Sequence, residues 1–244
     1  MLSEKKWKPE SVLRLGLGVF LCVVVGSLAA SLMPKLPGGG TGHPLARLLA
    51  GAIGFQGAAL VLIGRFLREH HTGWAEAFGF RRNRLQATLL GAGSACLFMP
   101  IGMVLLALMT KIMIRLGLPA EEQAAVQMLQ KAGGWPMQAF VAFIAIVLAP
   151  VAEEMLFRGI IYPTIKQAGY PRAAWWFTSL LFAAVHFNPP SFLPLLLLAM
   201  LLIWLYEKTN NLLAPIAAHS LFNTLNFVMI QFGDQLDRWR LPHA

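Results

Sequence analysis

Several side chains suited to acid, base or hydrogen-bonding chemistry lie inside apolar stretches in the second half of the sequence. A central charge in a membrane helix costs about 2.5–3.5 kcal/mol, so charges retained there usually serve a function. The segment "APVAEEMLFRG" carries an adjacent pair of glutamates and an arginine, and two later apolar segments carry imidazoles and an amide. These side chains are Glu153, Glu154, Arg158, His186, His219 and Asn223.

The spacing within the first segment separates the roles of its charged residues. Residues four apart share one face of a helix, whereas neighbours point about 100° apart. Glu154 and Arg158 are therefore predicted to form an ion pair, and Glu153 faces elsewhere. Glu153 then has two possible roles. It caps a neighbouring element, a possibility widened by the backbone carbonyls that Pro150 leaves without a donor, or it acts as a general base for water. A carboxylate in a water-excluding cleft is a stronger base than one in water.

The later segments supply possible partners for such a base. His219 and Asn223 are four residues apart and so share one face of their helix, while Phe182 lies one turn before His186. A lone buried histidine is more often a satisfied core residue. Two histidines, an asparagine and a glutamate on three helices instead provide a base and donors for an oxyanion. This combination is suited to amide hydrolysis.

The motifs EExxxR, FxxxH and HxxxN occur in this order as "EEMLFR", "FAAVH" and "HSLFN". In that order they resemble the CAAX protease and bacteriocin-processing family, also called CPBP or Abi. Each motif alone is weak because a four-residue spacing is common, but three on separate apolar segments form a specific pattern. The resembling region covers about residues 149–223, and "GWAEAFGFRR" upstream is also similar to the family.

The resemblance implies an all-helical intramembrane endopeptidase whose site opens to the cytoplasm. Glu153 would activate the water with help from His186, and His219 and Asn223 would stabilise the oxyanion or hold the water. The Glu154 and Arg158 pair, with Phe182, would support this geometry. The resemblance implies no cofactor and no metal site, although the donor set could also ligate zinc; the sequence contains no HExxH motif.

The composition indicates the elements that must position these residues. Hydrophobic residues form 57% of the 244 and charged residues 13%, against roughly 25% charged residues in soluble domains. We predict an all-α, polytopic membrane bundle of about seven spanning helices, with six to eight compatible with the pattern. The predicted spans are residues 12–33, 44–67, 85–109, 137–157, 173–187, 192–206 and 212–232.

The chain shows no repeat or change of composition, so residues 1–244 are predicted to form one integral membrane domain with a catalytic core at 137–232. The net charge of +9 comes from basic residues beside apolar segments, which is typical of membrane topology and not of nucleic-acid binding. The N-terminus is predicted to lie in the cytoplasm, because Lys5, Lys6 and Lys8 precede the first span. We expect a multi-pass protein of the plasma membrane. The expected partners are the lipid bilayer and a peptide or prenylated protein substrate.

Two other functions share these features. The buried carboxylates, arginine and histidines could form the proton relay of a coupled transporter, although no inverted repeat is visible. A membrane scaffold or immunity protein could bind a peptide in the same cavity without cleaving it. The sequence also leaves open whether the substrate is prenylated.

Overall fold

The computed structural model describes residues 7–32, 51, 53–130 and 134–240, and within them it contains nine α-helices and no β-strand. A π-helical turn, Ile53–Gly57, precedes the second helix. The all-α fold class is therefore confirmed. The helices are α1 (Pro9–Leu32), α2 (Ala58–Glu69), α3 (Trp74–Ala77), α4 (Arg84–Arg115), α5 (Ala124–Gln130), α6 (Trp135–Gln167), α7 (Pro171–Ala184), α8 (Pro189–Thr209) and α9 (Leu213–Arg240).

Five of the described helices are long and apolar enough to cross a membrane, namely α1, α4, α6, α8 and α9. The protein is therefore an integral membrane protein, as predicted. The predicted span 44–67 lies partly outside the described residues. The predicted span 173–187 corresponds to α7, whose 14 residues measure about 21 Å and are shorter than a hydrocarbon core of about 30 Å.

Helix α6 is interrupted twice by a π-helical turn, at Ile144–Leu148 and at Phe157–Ile161. In each case the amide of the residue that follows the turn donates a hydrogen bond to the carbonyl five residues earlier. The next residue is a proline, Pro150 or Pro163. Proline has no amide hydrogen to donate, so each interruption leaves backbone carbonyls without a donor in the same helix.

Other helices supply the missing donors. Ala145 would receive the amide of residue 149 or 150, but the former bonds to Ile144 and the latter is proline. The side-chain amide of Asn223 on α9 donates to the Ala145 carbonyl at 2.8 Å. Similarly, Pro163 cannot donate to the carbonyl of Gly159, which instead accepts from the Trp7 indole at 3.1 Å. The interruptions of α6 therefore bind it to both α9 and the start of α1.

Hydrogen bonds between loops hold one end of the bundle, and a side-chain cap begins a helix at the other end. At one end, the Leu212 amide donates to the Phe78 carbonyl at 2.9 Å and the Asn211 side chain donates to the Arg82 carbonyl. We call this the arginine end, because the adjoining segment carries Arg81, Arg82 and Arg84. At the start of α8, Asn188 caps the helix by accepting from the Ser191 amide at 3.1 Å.

Helices α4 and α9 cross with their backbones in close contact at Gly91. A Cβ atom at this position would overlap the backbone carbonyl of Ala214, whereas a Cβ at Gly93 meets nothing within 4 Å. Small residues that allow backbones to approach are a common feature of membrane helix packing.

We expect Gly91→Ala to destabilise the protein by about 1–3 kcal/mol, because the two helices must separate or distort to accept the methyl group. Gly93→Ala is the matched control, since it makes the same change two residues away and helix propensity favours alanine. Thermal unfolding in detergent measures both. Equal unfolding temperatures for the two variants would show that this crossing is not tight.

Candidate active site

The two glutamates of α6 are both buried in the described structure. The exposed fraction is 8% for Glu153 and 0% for Glu154. Their side chains take different roles, as the 100° separation of helical neighbours predicts. Glu154 has charged and polar partners, whereas the Oε2 atom of Glu153 is buried without a hydrogen-bond donor among the described residues.

Glu154 stands at the centre of a buried polar network. Its Oε1 atom accepts from Arg158 Nη1 at 2.9 Å and lies 2.9 Å from Nδ1 of His219. The guanidinium of Arg158, fully buried, also donates through Nη2 to the Ala199 carbonyl on α8 at 3.1 Å. The ion pair predicted from the four-residue spacing is therefore present, and its residual polar atoms are partly satisfied by α8 and α9.

This network also sets the orientation of the His219 ring. An ionised carboxylate only accepts hydrogen bonds, so the 2.9 Å contact with Glu154 places a proton on Nδ1 of His219. The other ring nitrogen, Nε2, then lies 4.0 Å from Oε2 of Glu153. His219 thus connects the ion pair to the carboxylate that has no donor.

Phe182 packs against both histidines and against the arginine. Its ring centroid is 4.9 Å from that of His186 and 5.6 Å from that of His219, and Arg158 Cζ lies 4.4 Å from it. Phe157 meets the same ring edge-on at 5.3 Å. The side chain of Phe182 is fully buried. One aromatic ring therefore holds residues from α6, α7 and α9 at fixed separations.

His186 lies just beyond the last residue of α7 and is half-buried. Its Nδ1 atom is 2.7 Å from the Phe182 carbonyl, so Nδ1 carries the proton and Nε2 can accept one. Contact with the ring of Phe182, four residues earlier, brings it to the network.

Asn223 lies one turn beyond His219 on the same helix, and one proton of its amide is used by the Ala145 carbonyl. Among the residues that the structure describes, its remaining amide proton and its oxygen have no hydrogen-bond partner. The motif pattern places Asn223 in the site and contains no sign of the backbone acceptors Ala145 and Ala199. Pro150 was the one signal for a carbonyl in need of a donor, and a backbone acceptor such as Ala199 leaves no signal in the side-chain pattern.

Comparison with known proteins agrees with the motif pattern. Residues 135–225 match the family model described as type II CAAX prenyl endopeptidase Rce1-like. Over these residues the chain is similar to the Rce1-like family. The Rce1-like segment runs from the start of α6 into α9 and contains every residue of the network described above.

Curated relatives cover a similar part of the chain. UPF0177 protein YxdF of Lactococcus lactis subsp. lactis (strain IL1403) is 34% identical over 93 residues, which are 38% of this chain and 51% of that protein. Uncharacterized protein YpbD of Bacillus subtilis (strain 168) is 34% identical over 96 residues, 38% of this chain and 46% of that protein. The chain thus spans about half the length of these relatives. No solved structure matches the chain.

Proposed function

We propose that this protein is an intramembrane endopeptidase that hydrolyses a peptide bond, near the C-terminus of a prenylated or other membrane-associated peptide, through a water activated by Glu153. The observation that carries the proposal is the pairing of Glu153 Oε2, buried without a donor, with His219 Nε2 at 4.0 Å. One water oxygen can lie about 2.8 Å from both atoms, which is hydrogen-bond distance. The similarity of residues 135–225 to the Rce1-like family supports this chemistry.

In the proposed reaction, water attacks the scissile carbonyl carbon while Glu153 takes one of its protons. His219 Nε2 holds the water, since its Nδ1 proton is engaged by Glu154. The free amide proton of Asn223 stabilises the oxyanion. As the C–N bond breaks, Glu153 returns the proton to the leaving nitrogen, with His186 assisting this transfer, so the products are an acid and an amine.

We propose that this reaction uses no metal ion. Two observations support the proposal: His219 Nδ1 is engaged by a carboxylate, and the described part of the chain has no group of three or more His, Cys, Asp or Glu side chains placed to hold a metal. Glutamate and histidine are side-chain types that zinc prefers, so the experiment below includes a chelator.

We further propose that the protein resides in the plasma membrane with its N-terminus and its arginine end in the cytoplasm. Trp7 contacts Gly159, and Arg81, Arg82 and Arg84 adjoin the contacts of residues 211–212. Clusters of arginine beside spans favour the cytoplasmic side. The proposed partners are the bilayer and the peptide substrate, with no role for nucleic acid.

The function is tested with quenched fluorescent peptides, prenylated and unprenylated, added to the detergent-purified protein with and without a strong chelator. Cleavage that resists the chelator is the expected result. Loss of cleavage with the chelator and its recovery with zinc would overturn the metal-free mechanism. Binding without cleavage of any peptide would overturn the protease proposal in favour of a peptide-binding scaffold.

We expect His186→Ala to lower kcat about a hundredfold, which is within the usual contribution of a general acid or base. The unfolding temperature should change little, because the ring is half-buried and its hydrogen bond is to a carbonyl of its own helix. The measurement is kcat and KM on the best peptide, together with thermal unfolding. Unchanged kcat would remove His186 from the mechanism.

A further inference from the structure

A second site lies at the arginine end, away from the Glu153 network. A groove with a volume of about 430 Å³ is formed by the last turn of α6, the first turns of α7 and the last turn of α8. We call it the Arg172 groove. Its polar and aromatic lining residues are Tyr162, Lys166, Arg172, Trp175, Trp176 and Glu207.

The charges in the groove leave a positive surplus on Arg172. Lys166 Nζ donates to both carboxylate oxygens of Glu207 at 2.8 Å, so these two charges neutralise each other. Arg172 is exposed, and within the described ranges no carboxylate lies at ion-pair distance from it. A guanidinium in this state binds a phosphodiester through two parallel hydrogen bonds.

The aromatic residues place the groove at the surface of the bilayer. Trp175 is half-buried against the protein core, while Trp176 has an exposed fraction of 55%. Indole rings concentrate at the headgroup level of membranes. Leu180, one turn further along the face of Trp176, is also exposed at 42%. A ligand with its phosphate at Arg172 would thus find an apolar strip for an acyl chain directly beside it.

We propose that the Arg172 groove binds an anionic phospholipid, with the headgroup phosphate on Arg172 and an acyl chain along Trp176 and Leu180. The net positive charge selects an anionic over a zwitterionic headgroup, and the cytoplasmic leaflet is the one rich in anionic lipids. This inference goes beyond the proposed peptidase activity and does not rest on it. The bound lipid contacts the first turns of α7, the helix that leads to His186.

The test uses native mass spectrometry of the detergent-solubilised protein with phosphatidylglycerol or phosphatidylcholine as the probe. We expect wild type to bind phosphatidylglycerol more tightly, and Arg172→Ala to weaken that binding about fivefold without changing phosphatidylcholine binding. Arg115→Ala is the matched control, because it removes an exposed arginine at the opposite end of α4 from the arginine end. It should change neither affinity. Glycerol phosphate should not compete.

The proposal fails if both arginine variants weaken phosphatidylglycerol binding equally, if the two lipids bind alike, or if glycerol phosphate displaces the lipid. A second readout guards against loss of fold. Phosphatidylglycerol brominated on its acyl chains should quench part of the tryptophan fluorescence, and Trp176→Phe should reduce that part. Both measurements are expected to give the same result in the Glu153→Gln variant, which separates lipid binding from peptide cleavage.

Discussion

Replacing Glu153 by glutamine should lower kcat for peptide cleavage about a thousandfold, within the range that a general base supplies. Glutamine has nearly the same shape, so it fills the same buried space, but its amide cannot accept the proton that water must lose. The Oε2 atom of Glu153 has no donor among the described residues, so no native hydrogen bond of this atom is lost with the charge. The fold should therefore survive the substitution.

The measurement is kcat/KM on the best peptide for wild type and Glu153→Gln, with unfolding temperature measured alongside. Glu10→Gln is the matched control, since it makes the same chemical change at an exposed residue in the first turn of α1. It should retain full activity. If Glu153→Gln cleaved at more than about a tenth of the wild-type rate, the carboxylate would not be the base.

The largest effect on stability is expected from Arg158→Met. Removing one partner of a fully buried ion pair leaves an uncompensated charge and costs about 3–5 kcal/mol. Here the Oε2 atom of Glu154 already lacks a partner in the described structure, and loss of Arg158 leaves its carboxylate with His219 alone. The ring of Phe182 also loses the guanidinium 4.4 Å from its centroid. Unfolding temperature and expression level should both fall.

Two controls separate this effect from the general loss of an ion pair. Lys166→Met breaks the pair with Glu207, whose side chains are 20% and 24% exposed. It should cost less than Arg158→Met, because water screens part of this pair. The double variant Glu154→Gln with Arg158→Met removes both buried charges and should recover part of the loss. An Arg158→Met protein as stable as the Lys166→Met protein would contradict the buried network.

The fold class and the motif-bearing helices could be predicted from the sequence because membrane burial and the four-residue helical spacing both leave direct marks in it. The ion pair of Glu154 with Arg158 lies within one helix, where spacing determines direction. Contacts between helices depend on rotation and depth, which a single sequence does not specify. For this reason the contact of Glu154 with His219, and of Asn223 with Ala145, became visible only in the structure.

The span boundaries were predicted less well than the spans themselves. The predicted span 137–157 begins two residues after the start of α6, but the helix continues ten residues further, to Gln167, despite Pro163. Proline usually ends or kinks a helix, but here a π-helical turn and the Trp7 indole accommodate it. A donor that comes from far away in the sequence leaves no local signal.

The two carbonyls left without a helical donor in α6 receive their donors at different times during synthesis of the chain. When α6 enters the membrane, Trp7 has already been made and can satisfy the carbonyl of Gly159. Asn223 has not: the chain between Pro163 and Asn223 takes about 3–12 s to synthesise at 5–20 residues per second. Until then the carbonyl of Ala145 lacks its native donor and Glu153 lacks its imidazole neighbour. In the nascent protein, the pair formed by Glu153 and His219 is therefore incomplete until α9 joins the bundle.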